Sequence, residues 1–187
     1  TNHDGLTNSQ VGAILKDTRG YIWFGTQSGL CRFDGFRMKT FYYINTDDKS
    51  LPNNLVDELQ QDYGGNIWVH TSVGYCIYKY DEEQFERKPE EWLKNIHVQG
   101  PPYKLLIDKD KNMWIAVYGQ GLYYHNAKTK NTYLFKFTKK AQPGCLKEGN
   151  ISKITEVDGD ALITYGDGTI CRVNGQKQKV LWYSSFL

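Results

Sequence analysis

The sequence predicts an all-β fold, a β-propeller of four four-stranded antiparallel blades, on three observations. A block of residues recurs about every 46 positions. Within each block the apolar residues form short runs without helical periodicity. Of the 187 residues, 8 Phe, 5 Trp and 14 Tyr are aromatic, enough large side chains to fill cores between sheets and to exclude disorder.

The repeat is read from its fixed points. Asp17-Thr18-Arg19-Gly20-Tyr21-Ile22-Trp23 returns as Asp62-Tyr63-Gly64-Gly65-Asn66-Ile67-Trp68 and as Asp108-Lys109-Asp110-Lys111-Asn112-Met113-Trp114, so the tryptophans stand 45 and 46 residues apart. Upstream, Leu6-Thr7-Asn8 aligns with Leu51-Pro52-Asn53; downstream, Gly29-Leu30-Cys31 aligns with Gly74-Tyr75-Cys76. A fourth unit has Leu162 at the tryptophan position, and its second half, Gly168-Thr169-Ile170-Cys171-Arg172-Val173, follows Gly29-Leu30-Cys31-Arg32-Phe33.

Strand A of the first unit is the apolar run 11–15, ended by Asp17, and the Asp-x-x-Gly after it carries turn residues. Strand B, 21–24, is apolar at every position, which predicts a sheet covered on both faces. Thr26-Gln27-Ser28-Gly29 turns the chain into strand C, 30–33, and Asp34-Gly35 turns it into strand D, 38–42. In the fourth unit Asn174-Gly175 predicts a two-residue type I′ hairpin into strand D at 180–183. The segment 90–95 predicts a single helical turn, too short to persist alone.

Units of this length and strand number describe propeller blades, at about 6–43, 51–88, 98–137 and 149–183 of a segment spanning 1–187. Leucine-rich and helical repeats lack their periodicity here, and one sandwich would not recur at 46 residues. Because the units run in phase with no residue left to complete a blade from both ends, the chain reads as a fragment of a larger propeller, about seven-bladed; the alternative is a closed four-bladed ring.

Lys and Arg total 23 against 21 for Asp and Glu, so no basic field marks a nucleic-acid partner. No run of about 18 apolar residues marks a membrane span. Trp23, Trp68 and Trp114 could stack sugars, but their recurrence among apolar neighbours assigns them to blade cores. Asp17, Asp62 and Asp108 recur likewise, which assigns them to turns. Asp108-Lys109-Asp110-Lys111-Asn112 lacks the Gly and the bidentate Glu of a Ca²⁺ loop. Cys31, Cys76 and Cys171 occupy equivalent strand C positions, too far apart in neighbouring blades to bridge, which predicts buried thiols; Cys145, in Gln142-Pro143-Gly144-Cys145, has no evident partner. His3, His70, His97 and His125 have no metal-ligand spacing. No nucleophile elbow or phosphate loop is present, so no catalytic residue, metal or cofactor is assigned.

The pattern Asp-x-x-Gly-x-Ile-Trp-x-Gly-Thr-x-x-Gly-Leu-x-Arg-Phe-Asp, nearly whole at Asp17 to Asp34, resembles the two-component regulator propeller repeat. The second unit has His70 in place of Gly25, and the third has Ala116 and Val117 in place of Gly-Thr. The resemblance implies an extracytoplasmic, periplasmic sensor region of a hybrid histidine kinase, in which propeller repeats precede an immunoglobulin-like domain, a membrane helix, a kinase and often a transcription-regulating module, and many members respond to oligosaccharides. It also implies that Asn2-His3-Asp4-Gly5-Leu6 opens a first blade just after a signal peptide.

In a propeller the B–C and D–A connections share one face, where loops on a rigid scaffold carry binding residues. The candidates are Gln27, Ser28, Ser72, Tyr118 and Gln120 from B–C and Asn8, Asn53, Asn54, His97 and Gln99 from D–A. Amides, hydroxyls and an imidazole beside Tyr suit a neutral polyhydroxylated ligand. The leading expectation is a non-enzymatic sensor segment that recognises an oligosaccharide. A scaffold for protein–protein contact or a homodimer is the second, since open blade faces would be apolar, and a glycan-cleaving enzyme is the third.

Overall fold

The computed structural model describes residues 5–139 and 145–184. The expectations on Asn2, His3 and Asp4 and on the loop residues 142–144 lie outside the described residues. Four antiparallel meanders follow one another. Blade 1 is β1 (Val11–Lys16), β2 (Ile22–Thr26), β3 (Gly29–Phe33) and β4 (Met38–Phe41). Blade 2 is β5 (Val56–Gln61), β6 (Ile67–Thr71), β7 (Gly74–Lys79) and β8 (Gln84–Glu86). Helix α1 (Pro89–Leu93) and a 3₁₀ turn (Lys94–Ile96) follow, where a single turn is predicted. Blade 3 is β9 (Pro102–Ile107), β10 (Met113–Val117), β11 (Gly121–His125) and β12 (Thr132–Thr138), with a two-residue parallel edge strand, β13 (Leu146–Lys147), added beside β12. Blade 4 is β14 (Ile151–Val157), β15 (Asp160–Tyr165), β16 (Ile170–Asn174) and β17 (Lys179–Ser184).

The chain divides into two compact units, Thr1–Pro89 and Glu90–Leu187. In the first, Trp23, Leu30 and Phe41 of blade 1 pack with Val56, Leu59, Val69 and Tyr78 of blade 2. The Trp23 ring lies 5.1 Å from Tyr78, edge to face, and 5.8 Å from Phe41. In the second, Trp114, Tyr124 and Phe135 of blade 3 pack with Ile154, Ile163 and Cys171 of blade 4. Strands β10 and β11 are buried at every position, as a doubly covered blade requires, whereas β2 alternates buried Trp23 with half-buried Ile22 and Phe24.

The aspartates form the turns predicted for them and also grip the tryptophans. Asp62 Oδ1 accepts from the N–H groups of Gly64 and Asn66, and its Oδ2 accepts from Trp68 Nε1 at 3.0 Å. Asp17 holds Trp23 Nε1 at 2.7 Å and Asp108 holds Trp114 Nε1 at 3.4 Å. Leu162, paired with Thr155 and Arg172, stands in the register of Trp23, which pairs with Leu15 and Arg32.

One predicted turn is corrected. Asn174 pairs with Lys179, so β16 and β17 are joined by the four residues 175–178 and not by a two-residue Asn-Gly turn. Asn174 is drawn into the sheet because its Nδ2 donates to Asp160 and its Oδ1 accepts from the Lys177 N–H. The two-residue turn of this blade falls instead between β14 and β15, at Asp158 and Gly159, both with positive φ (52° and 81°) as type I′ needs.

Candidate functional site

Strand A of every blade slips by one residue near its start, leaving Gly12, Asp57, Tyr103 and Ser152 unpaired in a β-bulge. Antiparallel pairing places this bulge beside the B–C turn of the same blade. The four blades differ most at this end: the bulge residue is Gly, Asp, Tyr or Ser, while the opposite end repeats the same aspartate turn in three of them. A bulge re-aims a side chain without disturbing the sheet behind it, so this end can vary while the core stays fixed.

In the first unit the predicted residues fall into two groups. Asn8 Nδ2 donates to Ser28 Oγ at 2.9 Å, joining the D–A and B–C sides of blade 1, with exposed Gln27 beside them. Asn53 and Asn54 mainly order the chain: Asn53 Oδ1 accepts from the Leu55 N–H, and Asn54 accepts from Tyr43 N at its side chain and from Gly29 N at its carbonyl. The Ser72 N–H donates to the Leu55 carbonyl at 3.3 Å.

Blade 2 adds a cluster absent from the predicted set. His70 Nδ1 lies 2.6 Å from Asp57 Oδ1, and the imidazole lies 4.5 Å from the Tyr75 ring. Tyr75 donates its hydroxyl proton to Glu58 Oε2 at 3.2 Å, and Gln60 donates to the other oxygen of that carboxylate. An imidazole oriented by a carboxylate has the form of a general base, but the hydroxyl of the neighbouring Tyr75 is committed to Glu58. The signal for this cluster was present in the repeat, where His70 replaces Gly25 and Asp57 replaces Gly12.

In the second unit three predicted residues converge. Gln120 Nε2 donates to the Gln99 carbonyl at 2.9 Å, and Gln120 Oε1 accepts from the Tyr123 hydroxyl at 2.5 Å. Tyr118, 68% exposed, stacks on the bulge residue Tyr103 with ring centroids 4.0 Å apart and planes 19° apart. Burial raises the Tyr103 pKa, and its hydroxyl accepts from the Ile151 N–H. His97 is not part of this group: it caps the 3₁₀ turn at φ 61°, next to Ile96, whose carbonyl accepts from Thr132 at the far end of β12. Tyr103 escaped the sequence reading because it sits inside a strand, and only the bulge turns it toward Tyr118.

Among the described residues no group of three or more His, Cys, Asp or Glu is placed to hold a metal ion. No described helix is long and apolar enough to cross a membrane. What the arrangement offers is hydrogen-bonding side chains beside an exposed aromatic ring, Tyr118, backed by half-buried Tyr103.

Residues 5–28 match the family model described as Two component regulator propeller. The match spans the first two strands of blade 1 and the turn after them. Over 98 residues, 48% of this chain and 7% of the relative, the sequence is 33% identical to Histidine kinase P4 of Formosa agariphila. The fold is similar to the extracellular domain of the protein designated hybrid two component system BT3049 from B. thetaiotaomicron, with a TM-score of 0.66 and 23% identity, covering 100% of this chain and 26% of that one. It is also similar to the extracellular domain designated one component system BT4673 from the same organism, with a TM-score of 0.58 and 16% identity, covering 95% of this chain and 25% of that one. The chain thus spans 7% of the curated relative and about a quarter of each of these structures. These likenesses show the propeller fold, here as four blades of the kind found in larger propellers.

Proposed function

We propose that this chain is a non-enzymatic, periplasmic sensor segment of a two-component regulator, which recognises a neutral oligosaccharide at the B–C and D–A end of its blades. The observation that carries the reading is exposed Tyr118 stacked on half-buried Tyr103, with Gln120 bonded to the Gln99 carbonyl in the same loops. An aromatic face suits the C–H face of a sugar ring, and amides, which both donate and accept, match hydroxyls that do the same. The repeat at 5–28 and the histidine kinase relative support a signalling parent. In that parent an immunoglobulin-like domain and a kinase follow the propeller, and bound sugar favours one arrangement of these parts by a few kcal/mol. Calorimetric titration with a neutral glycan retained on an array tests the site. Tyr118→Ala weakens binding at least about tenfold if one stacking contact of ~1.4 kcal/mol is lost, and equal affinity in the variant refutes the assignment.

Self-association is a second reading, favoured by one observation. On blade 1, Ile14 is 66% exposed, and its strand neighbours Phe24, Ile22, Phe33 and Met38 share that face half-buried. Light scattering that shows ligand-independent dimers, lost in Ile14→Lys, supports it; a monomer at all concentrations excludes it.

A further inference from the structure

The turn between strands C and D has one geometry in blades 2 and 4. In both it is four residues long, 80–83 and 175–178, and in both the last residue is left-handed, Glu83 at φ 51° and Gln178 at φ 54°. In both, the last N–H donates to the carbonyl of the first residue at 3.2 Å. The first residue differs: it is Tyr80 in blade 2 and Gly175 in blade 4.

In the first unit that tyrosine closes the space between neighbouring turns. The Tyr80 ring lies 6.0 Å from Trp23, the Arg19 guanidinium sits 4.0 Å over it, and its hydroxyl donates to Asp17. Glu83 then takes two cations of blade 1, Lys39 at 2.6 Å and Arg32 at 3.3 Å. By register, the second unit replaces Arg19 with Asp110, Arg32 with Tyr124, Lys39 with Tyr133 and Glu83 with Gln178. The ion pairs that span the gap in the first unit have no counterpart at these positions. A Cβ on Gly175 would stand 2.5 Å from the Tyr124 ring, so Tyr124 packs directly on this turn and excludes a side chain at the position of Tyr80. The turn 126–131 of blade 3 is also two residues longer than 34–37 of blade 1, six against four, and raises a wall.

The result is a cleft of about 720 Å³ between the C–D turns of blades 3 and 4, within the size range of ligand sites. Its floor is Tyr124, 4% exposed, whose hydroxyl accepts from Asn126 at 3.2 Å and keeps its proton to donate. Exposed Asn131, Gln176 and Gln178 stand on the rim, and half-buried Tyr133 lines one side. Asp110 and Lys128 contribute one charge of each sign, so the lining favours neither an anion nor a cation.

We propose that this cleft binds a neutral carbohydrate, with one sugar ring against Tyr133 and hydroxyls on the amides of Asn131, Gln176 and Gln178. It lies at the end of the sheets opposite to Tyr118 and is a second site, so it stands or falls independently of the one proposed above. A glycan array probed with the protein, followed by titration of a retained neutral glycan, tests it. The double variant Gln176→Ala/Gln178→Gly lowers affinity at least about tenfold, each lost hydrogen bond counting roughly 1 kcal/mol, and the same loss is read when the two substitutions are made in a Tyr118→Ala background, which separates this site from the first. Gly suits the left-handed φ at 178, so the fold is kept; Asn131→Ala, on the other wall, gives the same direction independently. Retention of no neutral glycan, retention indifferent to both cleft variants, or capture of charged glycans through the same residues overturns the proposal.

Discussion

Asp62, 2% exposed, takes four hydrogen bonds: from the N–H groups of Gly64 and Asn66, from Asn66 Nδ2 and from the Trp68 indole. Asp62→Ala removes the acceptor of the buried Trp68 indole and of the turn N–H groups, and a loss of about 2–4 kcal/mol is expected in urea denaturation; an unchanged midpoint would show that the turn does not depend on the carboxylate. The six-residue spacing from Asp to Trp was visible in the sequence, yet the two residues were read as a turn former and a core residue. Periodicity shows which positions are equivalent, not which of them touch. The cysteines were legible at this scale: Cys31, Cys76 and Cys171 are fully buried free thiols. Burial pushes the Cys171 thiol up to about 12 and raises Cys76 further. Since the thiolate is the reactive form, iodoacetamide at pH 8 should modify half-buried Cys145 first in the folded protein; early labelling of Cys76 or Cys171 by mass spectrometry would contradict their burial.

At the scale of the element, strand positions followed the apolar runs within a residue or two: 11–15 became Val11–Lys16, and 180–183 became Lys179–Ser184. The hairpin of blade 4 did not follow its strongest dipeptide. Asn174 makes side-chain bonds to Asp160 and Lys177 that hold it as the last strand residue, whereas Asp158 and Gly159 take the positive φ that a two-residue turn needs. Gly159, at φ 81°, meets no atom within 4 Å of an added Cβ, so Gly159→Ala isolates the backbone term. The expected cost is about 1–2 kcal/mol from the left-handed strain alone. A neutral result in thermal unfolding would mean that the turn relaxes to another type. The bulges could not be read from one sequence, because an extra residue in a strand alters neither its length nor its composition enough to show.

For the molecule as a whole, the 46-residue recurrence carried the architecture, since any unit that must bury both faces requires neighbours like itself. The grouping of the candidate loop residues was legible only in part. Gln99, Tyr118 and Gln120 converge as loop residues of a propeller should, while His97 stands elsewhere because the 3₁₀ turn places it beside β12. The cleft beside Gly175 went unread because it depends on the length of the turn 126–131 and on which residues face each other across two turns, and that is apparent only when the turns are laid in register. Both proposals hold to one idea: repeated residues build the blades, and binding is proposed where the chain departs from the repeat. Glycan-array retention by the intact protein, with the eluted glycan assayed for new reducing ends, tests that idea most directly. A neutral oligosaccharide retained and recovered uncut is the predicted result; failure to retain any glycan, or the appearance of reducing ends, would contradict it.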